Sequence, residues 1–278
     1  MNIYYVDGKF VSADQAVLPV DDLAVIRGIG VFDLLRTYHG KPYFLDAHVS
    51  RLMQSAHQIH LDLPWSHAQI CTAALETLAR NHLDEANIRI IVTGGSSPDF
   101  FTPVGKPRLL VLVTPLPKLP AHWYTRGVKV VTSKAWRNNP GAKSINYLPA
   151  ALALQEAQTR NAVEVLFLDE AGNALEGATS NLFAWIDETL VTPGRGILPG
   201  ITRSVILEIA AGQYSIAVRD LPLRELLRSQ EVFITGTNKG LVPVVQIDAA
   251  PIGTGRPGPV AHNIMALLET HLNALPKK

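Results

Sequence analysis

The chain has 278 residues, 47% of them hydrophobic and 18% charged, with a formal net charge of +1; this is the balance of a globular protein long enough for two ordinary domains or one large one. No Lys/Arg-rich run is present, so nucleic acid and anionic membranes find no electrostatic footprint, and small-molecule chemistry becomes the default. One cysteine excludes an intrachain disulfide framework and a Cys-based zinc site, and no apolar run approaches ~18 residues or follows a basic start, so the expectation is a cytoplasmic protein without a metal.

A strand is expected at Ile3–Val6, closed by an Asp7-Gly8 hairpin turn, and another at Leu34–Tyr38 before a His39-Gly40 turn. The apolar spacing of Val49, Leu52, Met53, Ala56 and Ile59 predicts a helix. Ser66 and Gln69 form a capping-box pair for a second one, whose stripe is Ile70, Ala74, Leu75 and Leu78, and Ile70 and Ala73 suggest a buried Cys71 thiol. Two dense strands, Ile88–Thr93 and Leu109–Thr114, end this part. Pro115, Pro117 and Pro120 then favour an extended connection.

Beyond it, strands are expected near Val128–Thr132, Val163–Asp169, Leu182–Ile186, Leu190–Val191 and Val232–Thr235, with helices near Pro149–Thr159, Thr202–Ala211 and Leu223–Arg228. The expected organisation is a small N-terminal α/β domain over 1–114, a linker over 115–125 and a larger domain over 126–278, in a mixed α/β (α+β) fold with a crevice between the domains.

Two unusual runs carry the chemistry. Lys143 lies in Ala142-Lys143-Ser144-Ile145-Asn146-Tyr147, after the turn Asn138-Asn139-Pro140-Gly141. Alone it reads as a solvated surface lysine, but an amine with a lowered pKa condenses with an aldehyde. Glu176 heads Gly177-Ala178-Thr179-Ser180-Asn181, whose small and hydroxylated residues let backbone approach a planar ligand. A carboxylate facing a pyridine nitrogen keeps it protonated, so the ring acts as an electron sink. Leu198-Pro199-Gly200-Ile201-Thr202-Arg203 offers phosphate donors, with Thr202 as N-cap of a helix that buries Val205, Ile206 and Ile209. The loop Thr235-Gly236-Thr237-Asn238-Lys239-Gly240 is a second small, hydroxyl-bearing candidate, and Arg51 a candidate cation.

Taken in order, Lys-Ser-Ile-Asn-Tyr at 143–147, Glu-Gly-Ala-Thr-Ser-Asn-Leu-Phe at 176–183, Leu-Pro-Gly-Ile-Thr-Arg at 198–203 and His-Val-Ser-Arg-Leu at 48–52 resemble the motif set of class IV (fold type IV) pyridoxal phosphate aminotransferases, over nearly the whole chain. The resemblance implies pyridoxal 5'-phosphate as cofactor, with Lys143 forming its Schiff base and shuttling the proton, and Glu176 on the pyridine nitrogen. It also implies Arg51, Ile201, Thr202 and Thr237 on the phosphate, Tyr147 near the phenolic oxygen, and a homodimer with its active site between domains and near the subunit interface. Partners would be an amino acid and a 2-oxo acid.

Within the family, the spacing Lys143-Ser-Ile-Asn146 resembles the D-amino acid aminotransferases and aminodeoxychorismate lyase. Phe32 in Gly-Val-Phe-Asp and the form Thr235-Gly236-Thr237 resemble branched-chain aminotransferases. Gly94 stands where the bacillar D-amino acid enzymes carry an arginine. Arg27 and Arg89 instead resemble the differently placed arginines of a less common group of D-amino acid transaminases, and an α-carboxylate suits an arginine fork. Arg36 is a third participant or the partner of a carboxylate such as Asp33. A D-amino acid such as D-Ala or D-Glu is the first expectation, an L-branched-chain amino acid the second, and pyruvate elimination from aminodeoxychorismate the third.

Overall fold

The computed structural model describes residues 2–134 and 137–275. The chain divides into two compact units, one made of residues up to Pro117 together with Gly141–Asn146, the other of Lys118–Pro140 and Tyr147–Leu275.

In the first unit, strands β1 (Ile3–Val6), β2 (Lys9–Ser12), β3 (Gly30–Tyr38), β4 (Lys41–Pro42), β5 (Ala86–Thr93) and β6 (Arg108–Pro115) pair antiparallel in the order β2-β1-β6-β5-β3-β4. Helices α1 (Leu23–Arg27), α2 (Leu45–Gln58) and α3 (His67–Ala79) accompany them. Because side chains alternate along a strand, Val31 and Leu35 of β3, Ile88, Ile90 and Val92 of β5 and Val111 and Val113 of β6 share one face. They pack against Val49, Leu52 and Ala56 of α2 and Ile70 and Ala74 of α3. Phe32, Leu34 and Arg36, at the alternate positions of β3, point the other way.

The Ser66/Gln69 capping box starts α3 as expected. Leu75, however, is 46% exposed while Thr77 is buried, so the stripe lies one position off, and Cys71 is half-buried rather than buried. β3 begins four residues earlier than its apolar run suggests, because Gly30, Val31, Phe32 and Asp33 all pair with β5.

The second unit contains, in chain order, α4 (His122–Thr125), β7 (Val128–Ser133), α5 (Leu148–Thr159), β8 (Glu164–Leu168), β9 (Ala174–Gly177), β10 (Asn181–Ile186), β11 (Thr189–Thr192), α6 (Ile201–Ala210), β12 (Ser215–Val218), α7 (Leu223–Leu226), β13 (Glu231–Gly236), β14 (Gly240–Ile247), β15 (Ala250–Pro251) and α8 (Pro259–Asn273). Its mixed sheet runs β12-β11-β10-β13-β14-β7-β8-β9, with β15 beside β14. Alternate residues of β10 and β13 divide between two cores. Leu182, Ala184, Val232 and Ile234 pack with Leu223 and Leu226 of α7. Phe183 and Phe233, stacked at 5.3 Å, pack with Ile206 of α6 and Ile264 of α8. The sequence-derived elements omit β14 and α8; Pro243 in the middle of β14 breaks the usual signature of a paired strand.

Gly141–Asn146 falls with the first unit, although the expected division assigned everything after 126 to the second domain. The reason is hydrogen bonding: Phe32 N–H donates to Lys143 O (2.9 Å), Ile145 N–H donates to Gly30 O (3.0 Å), and Val31 bridges Ser144. No described helix is long and apolar enough to cross a membrane.

Candidate active site

Those same bonds place Lys143. Its backbone is laid along the start of β3, and its N–H also donates to Ser55 Oγ of α2 (3.1 Å), so the lysine springs from a fixed point rather than a loose loop. Its Nζ lies 4.8 Å from the centre of the Phe32 ring, and the guanidinium carbon of Arg89 lies 5.0 Å from the same centre. Arg89 and Lys143 are thus both brought close to the Phe32 ring.

Arg27 is placed differently. It ends α1, is exposed, donates from Nε to Phe100 O (3.1 Å) and stacks over Phe101 (5.7 Å). A side chain at Gly94 has little room, since an added Cβ would lie 3.1 Å from Leu23 and Ile29.

Arg51 is buried on α2 and grips Asp33 in a fork, Nε to Oδ2 and Nη2 to Oδ1, both at 2.8 Å. His48, one turn earlier, places Nδ1 2.6 Å from Asp33 Oδ1. Burial alone would raise the Asp33 carboxyl, but the His48 hydrogen bond and the charge and bonds of Arg51 outweigh it and hold it below the ordinary carboxylate range. Burial lowers His48, against the pull of Asp33. Arg36 is not the partner of Asp33: it pairs with Glu85 (3.9 Å) and stacks on Tyr38 (4.1 Å), because it points to the opposite face of β3. The sequence carried a signal for this triad, a lone acid inside the apolar run of β3.

In the second unit, Glu176 sits on β9 and is 4% exposed. Leu198 N–H (2.9 Å) and Asn181 Nδ2 (3.2 Å) donate to Oε2, and Arg137 Nη1 donates to Oε1 (3.1 Å). A guanidinium and two amides thus meet the hydrogen-bonding needs of this buried carboxylate. Arg137 also lies over the Tyr147 ring at 5.8 Å, so Tyr147, Arg137 and Glu176 form one chain of contacts. Sequence reasoning missed Arg137. A cavity of about 330 Å³ opens beside this chain, lined by Arg137, Phe167, Leu175, Glu176 and Arg195.

Asn181 links Glu176 to the α6 start by donating also to Leu198 O (2.9 Å). A Cβ on Gly200 would fall 1.8 Å from Asn181 Oδ1, so only glycine fits. Gly200, not Thr202, is the N-cap of α6; no side chain caps the helix, and Ile201 and Thr202 occupy its first turn. An uncapped first turn presents amides and the positive end of the helix dipole to an anion. Arg203 anchors this turn, donating to Thr192 Oγ1 (3.0 Å) and Pro193 O (2.9 Å).

Thr237 lies in the turn between β13 and β14. Thr235, paired with Asn181 across the sheet, has a buried hydroxyl without a hydrogen-bond partner among the described residues. Lys239 in the same turn is committed elsewhere, donating to Glu164 Oε2 (2.6 Å), which also accepts from the Thr179 (2.7 Å) and Ser180 (3.0 Å) hydroxyls. A pyridine phosphate fits this donor set: a buried carboxylate for a ring N–H, uncapped helix amides for a phosphate, and an orphaned hydroxyl beside them.

The family model for class IV amino-transferases matches residues 30–247. The chain is 33% identical to a putative branched-chain-amino-acid aminotransferase of Methanocaldococcus jannaschii, over 94% of this chain and 93% of that protein. It is 28% identical to the D-alanine aminotransferase of Bacillus licheniformis, over 96% and 95%. The solved branched-chain amino acid aminotransferase of Escherichia coli superposes with a TM-score of 0.89 at 29% identity, covering 95% of this chain and 92% of that one. The chain belongs to the class IV aminotransferases and has their mixed α/β fold.

Proposed function

We propose that this pyridoxal phosphate aminotransferase moves an amino group between a small D-amino acid, such as D-Ala or D-Glu, and a 2-oxo acid. The observation that supports the reading is the shared Phe32 ring: the Lys143 amine and the Arg89 guanidinium both lie within about 5 Å of its centre, so an α-carboxylate brought to Lys143 has an arginine fork nearby. With little room for a side chain at Gly94, the carboxylate has to be held from elsewhere. Arg27 is assigned as a second holder and Phe32 as the wall of the substrate pocket.

When bound, pyridoxal phosphate supplies the electron sink that makes the substrate α-hydrogen acidic. Lys143 Nζ would anchor the cofactor's aldehyde carbon and, once the substrate amine has displaced it, would move the proton between the substrate Cα and that same cofactor carbon. Glu176 would hold the pyridine N–H, and Arg137 would orient that carboxylate. Tyr147 takes the phenolic oxygen. The first-turn amides of Ile201 and Thr202, with Thr237 and Arg51, hold the phosphate. We further place the enzyme in the cytoplasm as a homodimer.

The test is four separate half-reactions, with D-Ala, D-Glu, L-Leu and L-Val, followed by loss of the visible absorption of the cofactor. D-Ala or D-Glu should bleach it, and bleaching by L-Leu alone would overturn the assignment. Phe32, the Thr235-Gly236-Thr237 form and the 33% identity to a putative branched-chain enzyme favour L-branched-chain substrates as the second reading. Release of pyruvate without a keto-acid acceptor would instead mark a lyase.

A further inference from the structure

We propose that Asp46, His67 and Cys71 form a binding site for one divalent transition metal of the zinc type, outside the catalytic constellation. His67 and Cys71 are one turn apart on α3, and therefore share a face of it, while Asp46 projects from the first turn of α2. The three potential ligand atoms converge: Cys71 Sγ is 3.6 Å from His67 Nδ1 and 3.8 Å from Asp46 Oδ1, and Nδ1 is 3.9 Å from Oδ1. A tetrahedral zinc with Zn–S of about 2.3 Å and Zn–N or Zn–O of about 2.0–2.1 Å sets its ligand atoms about 3.3–3.6 Å apart. The Sγ–Nδ1 edge already matches, and the Sγ–Oδ1 and Nδ1–Oδ1 edges close by about 0.2 and 0.5 Å.

The imidazole is already oriented for this role. His67 Nε2 lies 3.1 Å from the backbone oxygen of Asp46 and donates to it, which leaves the Nδ1 lone pair directed at the thiol and the carboxylate. A ligating histidine typically has this outer hydrogen bond to a carbonyl, and it fixes the tautomer that binds metal. Hydrogen bonding alone explains the trio poorly, since the single thiol hydrogen cannot serve Nδ1 and Oδ1 together.

The donor set selects the ion. Thiolate and imidazole disfavour Mg²⁺ and Ca²⁺, which prefer all-oxygen shells, and suit Zn²⁺ and its neighbours. Three protein ligands leave the fourth position to water, and the thiol proton passes to the buffer on binding. One cysteine cannot build a Cys-only zinc site, which is why composition alone argues against a metal; one thiol joined by an imidazole and a carboxylate from two helices makes a mixed site. An ion there would clamp the first turns of α2 and α3 together.

The experiment uses tag-free, chelator-stripped holoenzyme titrated with Zn²⁺ in a calorimeter, with X-ray absorption at the zinc edge on the loaded protein. One equivalent should bind, with one sulfur scatterer at about 2.3 Å and nitrogen or oxygen scatterers at about 2.0–2.1 Å. Cys71→Ser and His67→Ala should each weaken binding at least ten-fold while keeping transaminase turnover in metal-free buffer. Zinc should raise the melting temperature of the wild type but not of Cys71→Ser. A sulfur-free shell, an affinity unchanged in both variants, or no binding overturns the site.

Discussion

Asp33 answers a guanidinium and an imidazole from within a strand that otherwise reads as core, and its removal tests what the triad does. Asp33→Asn keeps the shape but leaves Arg51 without its countercharge in a buried place and replaces the acceptor of His48. Breaking a buried pair in this way costs about 3–5 kcal/mol; an unfolding free energy that falls by that amount in urea titrations, with the slope unchanged, is the expected outcome. Lys143→Ala probes a different property, since it removes the amine to which we assign the proton transfer. Turnover should fall by roughly 10²–10⁴-fold or more, the usual worth of a positioned acid–base group, and single-turnover rates would show it; normal turnover would refute the proposed role. At this scale the sequence revealed residues whose identity is chemically demanding, Lys143 and Glu176, because each sits in a run of unusual composition. The supporting partners, Asp33 for Arg51 and Arg137 for Glu176, are distant in the chain, and such pairings arise where a helix or a loop packs on a strand, which a single sequence does not display.

Helix α6 is assigned a role in the chemistry through its end rather than its face. Its apolar spacing was legible, and Val205 and Ile206 are buried as expected. Its start was not, because the N-cap is a glycine whose need is steric: Asn181 occupies the space a Cβ would take. Gly200→Ala should therefore displace either the first turn or Asn181, and with it two of the hydrogen bonds that organise Glu176 and Leu198. Reconstitution of apoenzyme with pyridoxal 5'-phosphate should then require at least about ten-fold more cofactor, equivalent to roughly 1.4 kcal/mol, while the circular dichroism of the fold stays near wild type. Unchanged cofactor affinity would show that the α6 start does not hold the phosphate. Elements with a clean period, such as α2, α3 and β5, were readable from residue pattern alone. β14 was not, since Pro243 contradicts the local signature and only the long pairing with β13 makes it a strand.

Each unit buries a carboxylate whose pKa is held down by a cation, Asp33 with Arg51 and His48 in the first and Glu164 with Lys239 in the second, and this likeness of construction governs the response of the molecule to acid. Burial would raise the Glu164 carboxyl, but the Lys239 charge and hydrogen bond, joined by Thr179, bring it below its ordinary value of 4.5. For a group with a depressed folded-state pKa, the stabilisation is complete above the unfolded-state value and is lost as pH falls through the folded one. Both carboxylates therefore hold their stabilisation at neutral pH and surrender it progressively as pH falls through the ordinary carboxylate values and on below them. His48 acts earlier: its pKa is lowered from 6.5 by burial, so the unfolded chain binds a proton first and stability begins to decline as pH drops below 6.5. Thermal melts across this range should show a shallow fall beginning near that value and a steeper one in the acid region. Glu164→Gln should flatten the steep phase in part, leaving the share that belongs to Asp33. Lys239→Met, which strands the Glu164 charge, should lower stability by about 3–5 kcal/mol at neutral pH and reverse the slope, because the unpaired buried carboxyl then gains from protonation. A Lys239→Met protein with the wild-type profile would show that the ion pair does not stabilise the second unit.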